Sequence, residues 1–332
     1  MANQQYMKLW SIGGGKGGVG KSIVTMGLGI SLARLGNRVI LVDGDLGAAN
    51  LHTMMGLRFP PLTLEDFLLK RLPRLEDVVV KTPIEGISLI CGADDLLGAA
   101  NPTYFQKIRV LRELEDLPAD FVLLDLGAGT SFNILDFFNH SSGKIAVFTG
   151  ISTSLQNVYG FIKCALFRKI SREFAKDFEI LTLLYEDEAA AEEINSMDDL
   201  VAQVRRLAPD KCFRLLKILR DFEVFLVTNM VKNEQDFRAA EIIQSVCADF
   251  LNIKPQILGH LLYDPLVDVA INQMVPSLLH QRDNKIIRGL EQIAKRMMRL
   301  ARRPLPTLAP DNQKAAPAAS LAFWKGALNP GS

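Results

Sequence analysis

The chain has 332 residues, of which 48% are hydrophobic, and its 38 Lys and Arg against 37 Asp and Glu leave a net charge of +1. That is enough apolar chain for one large α/β core or two smaller ones, and a near-neutral balance excludes a global field that draws the protein to nucleic acid. The four cysteines (Cys91, Cys164, Cys212, Cys247) form no C-x-x-C pair, which argues against a zinc ribbon, a redox motif or a disulfide scaffold and reads as reduced thiols in a cytoplasmic protein.

In chain order, residues 7–12 form an apolar strand-like run and 22–35 an apolar helix-like one, with a glycine-rich turn between them. A second strand, 38–42, follows the helix-ending Gly36. Thr63 with Asp66 resembles a capping start for a helix over 64–70. Strands are expected at 87–91, 121–125, 145–149, 224–228 and 256–261, and a helix at 104–114. Strands separated by helices imply parallel pairing and right-handed crossovers. The expected fold is a doubly wound, mostly parallel sheet with helices on both faces, and its ligand lies beyond the carboxyl ends of the strands. Residues 1–303 read as a single domain. Residues 186–221, an acidic block followed by a basic one, read as a helical insertion on it. Residues 304–332 read as a flexible Pro/Ala-rich tail with a short apolar-aromatic segment at 319–328. No apolar run reaches the ~20 residues of a membrane-spanning helix, and residues 1–8 lack an apolar signal segment.

The glycine-rich turn carries the chemistry. From Gly15 it reads G-K-G-G-V-G-K-S, the G-x-x-x-x-G-K-[ST] phosphate loop, set after a strand and before a helix as that motif requires. In such a loop the backbone N–H groups of Gly15, Lys16, Gly17, Gly18, Val19 and Gly20 converge on phosphate oxygens. The helix N-terminus adds its positive end. Lys21 reaches the outer phosphates and Ser22 places its hydroxyl on Mg2+. Two further apolar strands end in acids, V-D-G-D at Asp43 and Asp45 and L-D-L-G-A-G at Asp125. In an open parallel sheet all of these fall on one edge. Asp125 suits a metal-holding acid, Asp43 and Asp45 suit the metal or the attacking water, and Gly127 and Gly129 let the backbone turn and offer N–H groups to a terminal phosphate.

The lysine directly after the first glycine, Lys16, makes the loop resemble the deviant loop of the MinD/ParA ATPases. The resemblance covers about residues 8–300. V-D-G-D-L-G-A-A-N-L-H (42–52) is similar to that family's first switch and D-L-G-A-G-T-S (125–131) to its second. L-V-T-N-M (226–230) is similar to the strand whose asparagine, here Asn229, meets the adenine base. L-G-H-L-L-Y-D-P (258–265), with M-V-P at 274–276, is similar to the stretch that closes over the base. The wording of both switches is nearest the FlhG branch, regulators of flagellar number and placement. The resemblance implies ATP and Mg2+ as cofactors, with Lys16, Lys21 and Asp45 as catalytic residues and Ser22, Asp45 and Asp125 around the metal. It also implies an ATP-dependent homodimer in which Lys16 reaches the partner's nucleotide. As further partners it implies an FlhF-like GTPase or a flagellar component, and a membrane surface reached from the cytoplasm. The segment 150–154 departs from the proline-containing turn that relatives carry there.

Two stretches are candidates for a membrane contact: the amphipathic helix over 284–303, whose spacing is also that of a last domain helix packed on the sheet, and segment 319–328. Two other functions compete with the spatial regulator. A ParA-like DNA-partitioning ATPase needs a basic patch, which the basic residues of 205–220 and 285–303 can supply. A metal-cluster carrier needs paired cysteines, which the sequence lacks.

Overall fold

The continuous apolar runs become strands covered on both faces. β1 (Leu9–Gly13), β2 (Val39–Asp43) and β5 (Phe121–Asp125) are buried at every residue, the mark of a sheet with helices on either side. A computed structural model describes residues 7–45, 49–92, 104–185, 196–265, 267, 269 and 284–302. With β3 (Val80–Lys81), β4 (Ile87–Ile90), β6 (Gly143–Thr149), β7 (Phe225–Val231) and β8 (Gln256–Leu262), the sheet runs β3-β4-β2-β5-β1-β6-β7-β8. Every pairing is parallel except β3 with β4. The two-residue β3 was not among the expected strands, because a run that short carries no periodicity.

The connections are helical. α1 (Lys21–Arg34) joins β1 to β2. The short α2 (Leu51–Met54) and α3 (Leu64–Leu68) precede β3, and Thr63 and Asp66 close the expected capping box on α3. α4 (Tyr104–Asp116) leads into β5 and α5 (Phe132–His140) into β6. Four described helices lie in the crossover from β6 to β7: α6 (Ser152–Glu173), α7 (Phe178–Tyr185), α8 (Met197–Leu207) and α9 (Pro209–Asp221). α10 (Glu234–Leu251) precedes β8, and α11 (Lys285–Ala301) is the last described helix. Two apolar clusters, one on each sheet face, make three layers. One holds Phe138, Phe161, Phe174 and the inner sides of α4 to α10. The other holds Trp10, Leu28 and the inner sides of α1 and α11.

Two expectations concern helix faces. Within 186–221, residues 186–195 lie outside the described set. α8 opens on a Ser196/Asp199 capping box. α8 and α9 turn Leu200, Val204, Leu215 and Leu219 into the same core as α6, leaving Arg205, Arg206, Lys217 and Arg220 exposed. Burying each such aliphatic side chain contributes about 1.5–3 kcal/mol, so this pair is a packed part of the helical layer. In α11, Ile286, Leu290, Ile293, Met297 and Leu300 are buried against α1 and β8. Leu290 comes so close to α1 that a Cβ on Gly27 would lie 2.5 Å from its Cδ1. Its apolar face is therefore occupied by the protein's own core, and α11 is a domain helix rather than a free membrane anchor. Segment 319–328 and residues 274–276 lie outside the described residues.

Candidate nucleotide site

Strand register assembles the site. Asp125 on β5 pairs with Ile12 on β1 and with Asp43 on β2, so the acids at the ends of β2 and β5 stand on neighbouring strands beside the start of the glycine loop. Adjacent strands are about 4.8 Å apart, close enough for the two carboxyls to feel each other. Backbone bonds fix the edge: Gly44 N donates to the Asp125 carbonyl at 2.8 Å, and Leu126 N to that of Ile12 at 3.0 Å.

The loop is held from outside as well as by its own glycines. A Cβ on Gly15 would fall 2.1 Å from the backbone oxygen of Asn157 on α6, so only glycine allows the loop to pass there. Gly20 has φ 85°, in the left-handed region, and a Cβ there would meet the Asn229 amide at 2.3 Å. α1 begins on this glycine with no side-chain cap and no acid in its first turn, which leaves its leading N–H groups for an anion. Around Gly18 and Gly129 nothing lies within 4 Å of an added Cβ, and at Gly17 only Ala128 is reached, at 4.0 Å. The loop is therefore packed against the protein at Gly15 and Gly20 and open at Gly17 and Gly18, the side on which phosphates would sit.

The two loop lysines differ sharply. Lys21 is 9% exposed; its Nζ donates to the Lys16 carbonyl at 3.4 Å. Burial pulls its pKa down, against the pull of Asp125 and Asp45. Lys16 is exposed at the loop tip and enters no ion pair among the described residues.

The acids are buried and mutually destabilised. Burial first, and then the neighbouring Asp125, push the Asp43 carboxyl up to about 7, although the N–H groups of Leu51 and Asp45 hold it back. Those donors sit at 2.9 and 3.2 Å, so Asp43 ties the backbone at Asp45 and at Leu51 to the end of β2. Burial pushes Asp125 up to about 6, opposed by hydrogen bonds from Ser22 and Thr25 and by Lys21. Asp45 is half-buried, and its carboxylate lies against Gly127, where a Cβ would come within 3.0 Å of Oδ1; the two switches therefore touch. Ser22, Asp45 and Asp125 give a hydroxyl and two carboxylates, hard oxygen donors that suit a cation keeping several waters, as Mg2+ does.

Two further residues belong to the site. Thr25 is fully buried, and its hydroxyl lies 3.0 Å from both Asp125 Oδ1 and the Lys21 carbonyl. Its signal in the sequence was a lone hydroxyl one turn after Ser22 in an apolar helix. Met230 has φ 56°, a strained value for a long side chain, and stands where the β7–β8 register shifts. Beside it Asn229 is buried and its Nδ2 donates to the Val19 carbonyl at 2.9 Å, tying the end of β7 to the phosphate loop. At residues 150–154, Ser154 Oγ accepts from Thr149 N at 3.0 Å, which makes the turn into α6 without a proline.

A glycine cradle at a helix N-terminus, a buried lysine and strand-end acids on a parallel sheet define a P-loop nucleotide-binding protein. Residues 10–277 match the family model of the CobQ/CobB/MinD/ParA nucleotide binding domain, and the chain belongs to that family. It is 30% identical over 165 residues to the antiactivator FleN of Pseudomonas aeruginosa, covering 49% of this chain and 58% of FleN. It is 29% identical over 166 residues to the flagellum site-determining protein YlxH of Helicobacter pylori, covering 48% and 54%. The matches thus span little more than half the length of these relatives. The septum site-determining protein MinD of Pyrococcus horikoshii, solved with Mg-ADP, superposes with a TM-score of 0.61 over 89% of this chain and 97% of that one, at 21% identity. That likeness bears out the expected doubly wound fold.

Proposed function

We propose that this chain is a slow Mg-ATP-dependent ATPase that dimerises around its nucleotides and acts as a spatial regulator of the FlhG kind, setting flagellar number or placement. The observation that carries the reading is the opposite burial of the two loop lysines. Lys21 is sunk among Asp125 and Asp45, fit for its own subunit's phosphates. Lys16 stands exposed on the same loop, at the open side of the cradle, where a second subunit would meet it.

In this reading the N–H groups from Gly15 to Ser22 hold the phosphates, helped by Lys21. Ser22, Asp125 and Asp45 surround Mg2+ or its waters. Asp45 also orients the attacking water, and Gly129 donates to the terminal phosphate. Asn229 lies at the base end. Bound Mg-ATP supplies the terminal phosphoryl group, and Lys16 of the facing subunit neutralises charge that builds on it, as an arginine finger does. Dimer formation completes the catalytic set and hydrolysis undoes it, so nucleotide state sets the lifetime of a conformation. Resemblance to the flagellum site-determining protein YlxH supports a flagellar role. An FlhF-like GTPase or a flagellar component is the proposed protein partner, and segment 319–328 the proposed contact with the inner face of the cell membrane.

Sedimentation velocity with ATP and Mg2+ tests this. The wild type should sediment as a mixture of monomer and dimer. Asp45→Ala should accumulate the dimer, Lys16→Ala should bind ATP yet remain monomeric, and Lys21→Ala should not bind. A Lys16→Ala form that dimerises like wild type refutes the reading.

A further inference from the structure

α1 presents two hydroxyls to the acid at the end of β5. Ser22 and Thr25 lie three residues apart, on one side of the helix, and both donate to the Asp125 carboxylate. Ser22 is half-buried, whereas Thr25 is 0% exposed. The Thr25 hydroxyl lies 3.0 Å from Asp125 Oδ1 and 3.0 Å from the Lys21 carbonyl. A hydroxyl has one proton to give. The Lys21 carbonyl, as part of α1, also has a ladder N–H. A bond to an ionised carboxylate is roughly twice as strong as one to a neutral carbonyl, so the proton goes to Asp125 when that acid is charged. Among the described residues, Ser22, Thr25 and Lys21 hold this carboxylate against the repulsion of Asp43 and Asp45. With Mg-ATP bound, Ser22 has its oxygen on the cation and Lys21 its ammonium on the phosphates. Thr25, almost a turn deeper and closed off from solvent, keeps no other task.

We propose that Thr25 is the positioning residue of the metal site: its hydroxyl fixes one oxygen of the Asp125 carboxylate, leaves the other for the cation or its water, and so makes the site selective for a small divalent cation. The inference rests on the Mg-ATP reading above and adds to it the residue that sets metal choice. A carboxylate pinned at one oxygen does not rotate freely. A small cation such as Mg2+ needs near-octahedral ligands at about 2.0–2.1 Å, whereas Ca2+ accepts oxygen at about 2.3–2.6 Å in looser arrangements. Freeing the Asp125 carboxylate therefore penalises the smaller ion more. Removing a hydrogen bond that orients a metal ligand typically weakens metal binding about 10–100-fold.

The test is the metal dependence of nucleotide binding by the full chain. Anisotropy of a labelled, non-hydrolysable ATP analogue is read in EDTA and then in rising Mg2+ or, separately, Ca2+. Thr25→Val keeps the shape and removes the hydroxyl; Thr25→Ser keeps the hydroxyl and removes the methyl. In Thr25→Val the Mg2+ concentration for half-maximal tightening should rise at least about tenfold, with the Ca2+ requirement changed by less than about threefold and the affinity in EDTA unchanged as the check on folding. Thr25→Ser should keep the wild-type requirement for both ions. If Thr25→Val does not fold, Thr25→Ala against Thr25→Ser isolates the hydroxyl, to the same expectation. A wild-type Mg2+ requirement in Thr25→Val, equal losses for Mg2+ and Ca2+, or a Thr25→Ser form as impaired as Thr25→Val would overturn the inference and leave the ATPase reading standing. A wild type whose nucleotide affinity ignores Mg2+ would overturn that reading, and the inference with it.

Discussion

The buried acid at the end of β2 makes a quantitative demand on the ligand-free protein. Asp43 has its carboxyl pushed from 3.8 to about 7. A raised carboxyl keeps its proton in the folded state at a pH where the unfolded chain has lost it. Folded protein then binds more protons, and stability falls as pH rises through that window. The contribution is fully present below the unfolded value near 4 and gone above about 7, where folding must hold a buried charge. A shift of this size corresponds to about 4 kcal/mol in all, of which about 2.5 kcal/mol is lost between pH 5 and pH 8. Asp43→Asn removes the titration and keeps the shape. It sets an amide donor against one of the two backbone N–H groups the carboxylate accepts, a constant cost of about 1–3 kcal/mol. Urea denaturation of both forms at several pH values, without nucleotide, isolates the term. Relative to the variant, the wild type should lose about 2–3 kcal/mol between pH 5 and pH 8. A difference constant to within about 0.5 kcal/mol would refute the claim that this acid is buried and uncompensated.

Other outcomes follow from single features. Asp136 on α5, just beyond the second switch, is 4% exposed and bound by Lys107, Arg168 and Arg172. Burial alone would raise its carboxyl, but Arg168 and Lys107 together hold it below the ordinary range. Asp136→Ala should therefore cost about 3–5 kcal/mol in denaturant titrations by stranding the buried Lys107 cation, while Asp136→Leu with Lys107→Met should recover most of it. Gly15→Ala must push the phosphate loop off the Asn157 carbonyl, and nucleotide affinity measured by calorimetry should drop by tenfold or more with the melting temperature little changed. Deleting residues 319–332 should lower ATP-dependent recovery on anionic liposomes in flotation; equal recovery would discard that segment as an anchor.

The parts of the site readable in the sequence are those set by local backbone geometry. The run from Gly15 to Ser22 shapes its own loop, and Asp43, Asp45 and Asp125 end strands whose apolar runs mark them as central. Parallel pairing then leaves those acids little choice but the loop's edge. What the sequence hid depends on partners far along the chain. Thr25 is an unremarked hydroxyl until β5 brings Asp125 to it. The Asn229 amide rests on the Val19 carbonyl, 210 residues away, a contact no local pattern encodes. The inner faces of α8 and α9 read as a generic amphipathic pair, and only α6 beneath them makes them core. Amphipathic spacing alone likewise left α11 between a domain helix and a membrane helix. The side chain of Leu290 seated over Gly27 decided it.

ATP turnover by Lys16→Ala and Lys21→Ala, each alone and then mixed in equal amounts, tests the shared active site most directly. If the exposed lysine serves the facing subunit, both variants are inactive alone, and the mixture regains part of the activity through heterodimers that hold one nucleotide, bound to the Lys16→Ala subunit and facing the intact Lys16 of its Lys21→Ala partner. Wild-type turnover by Lys16→Ala alone would contradict the account.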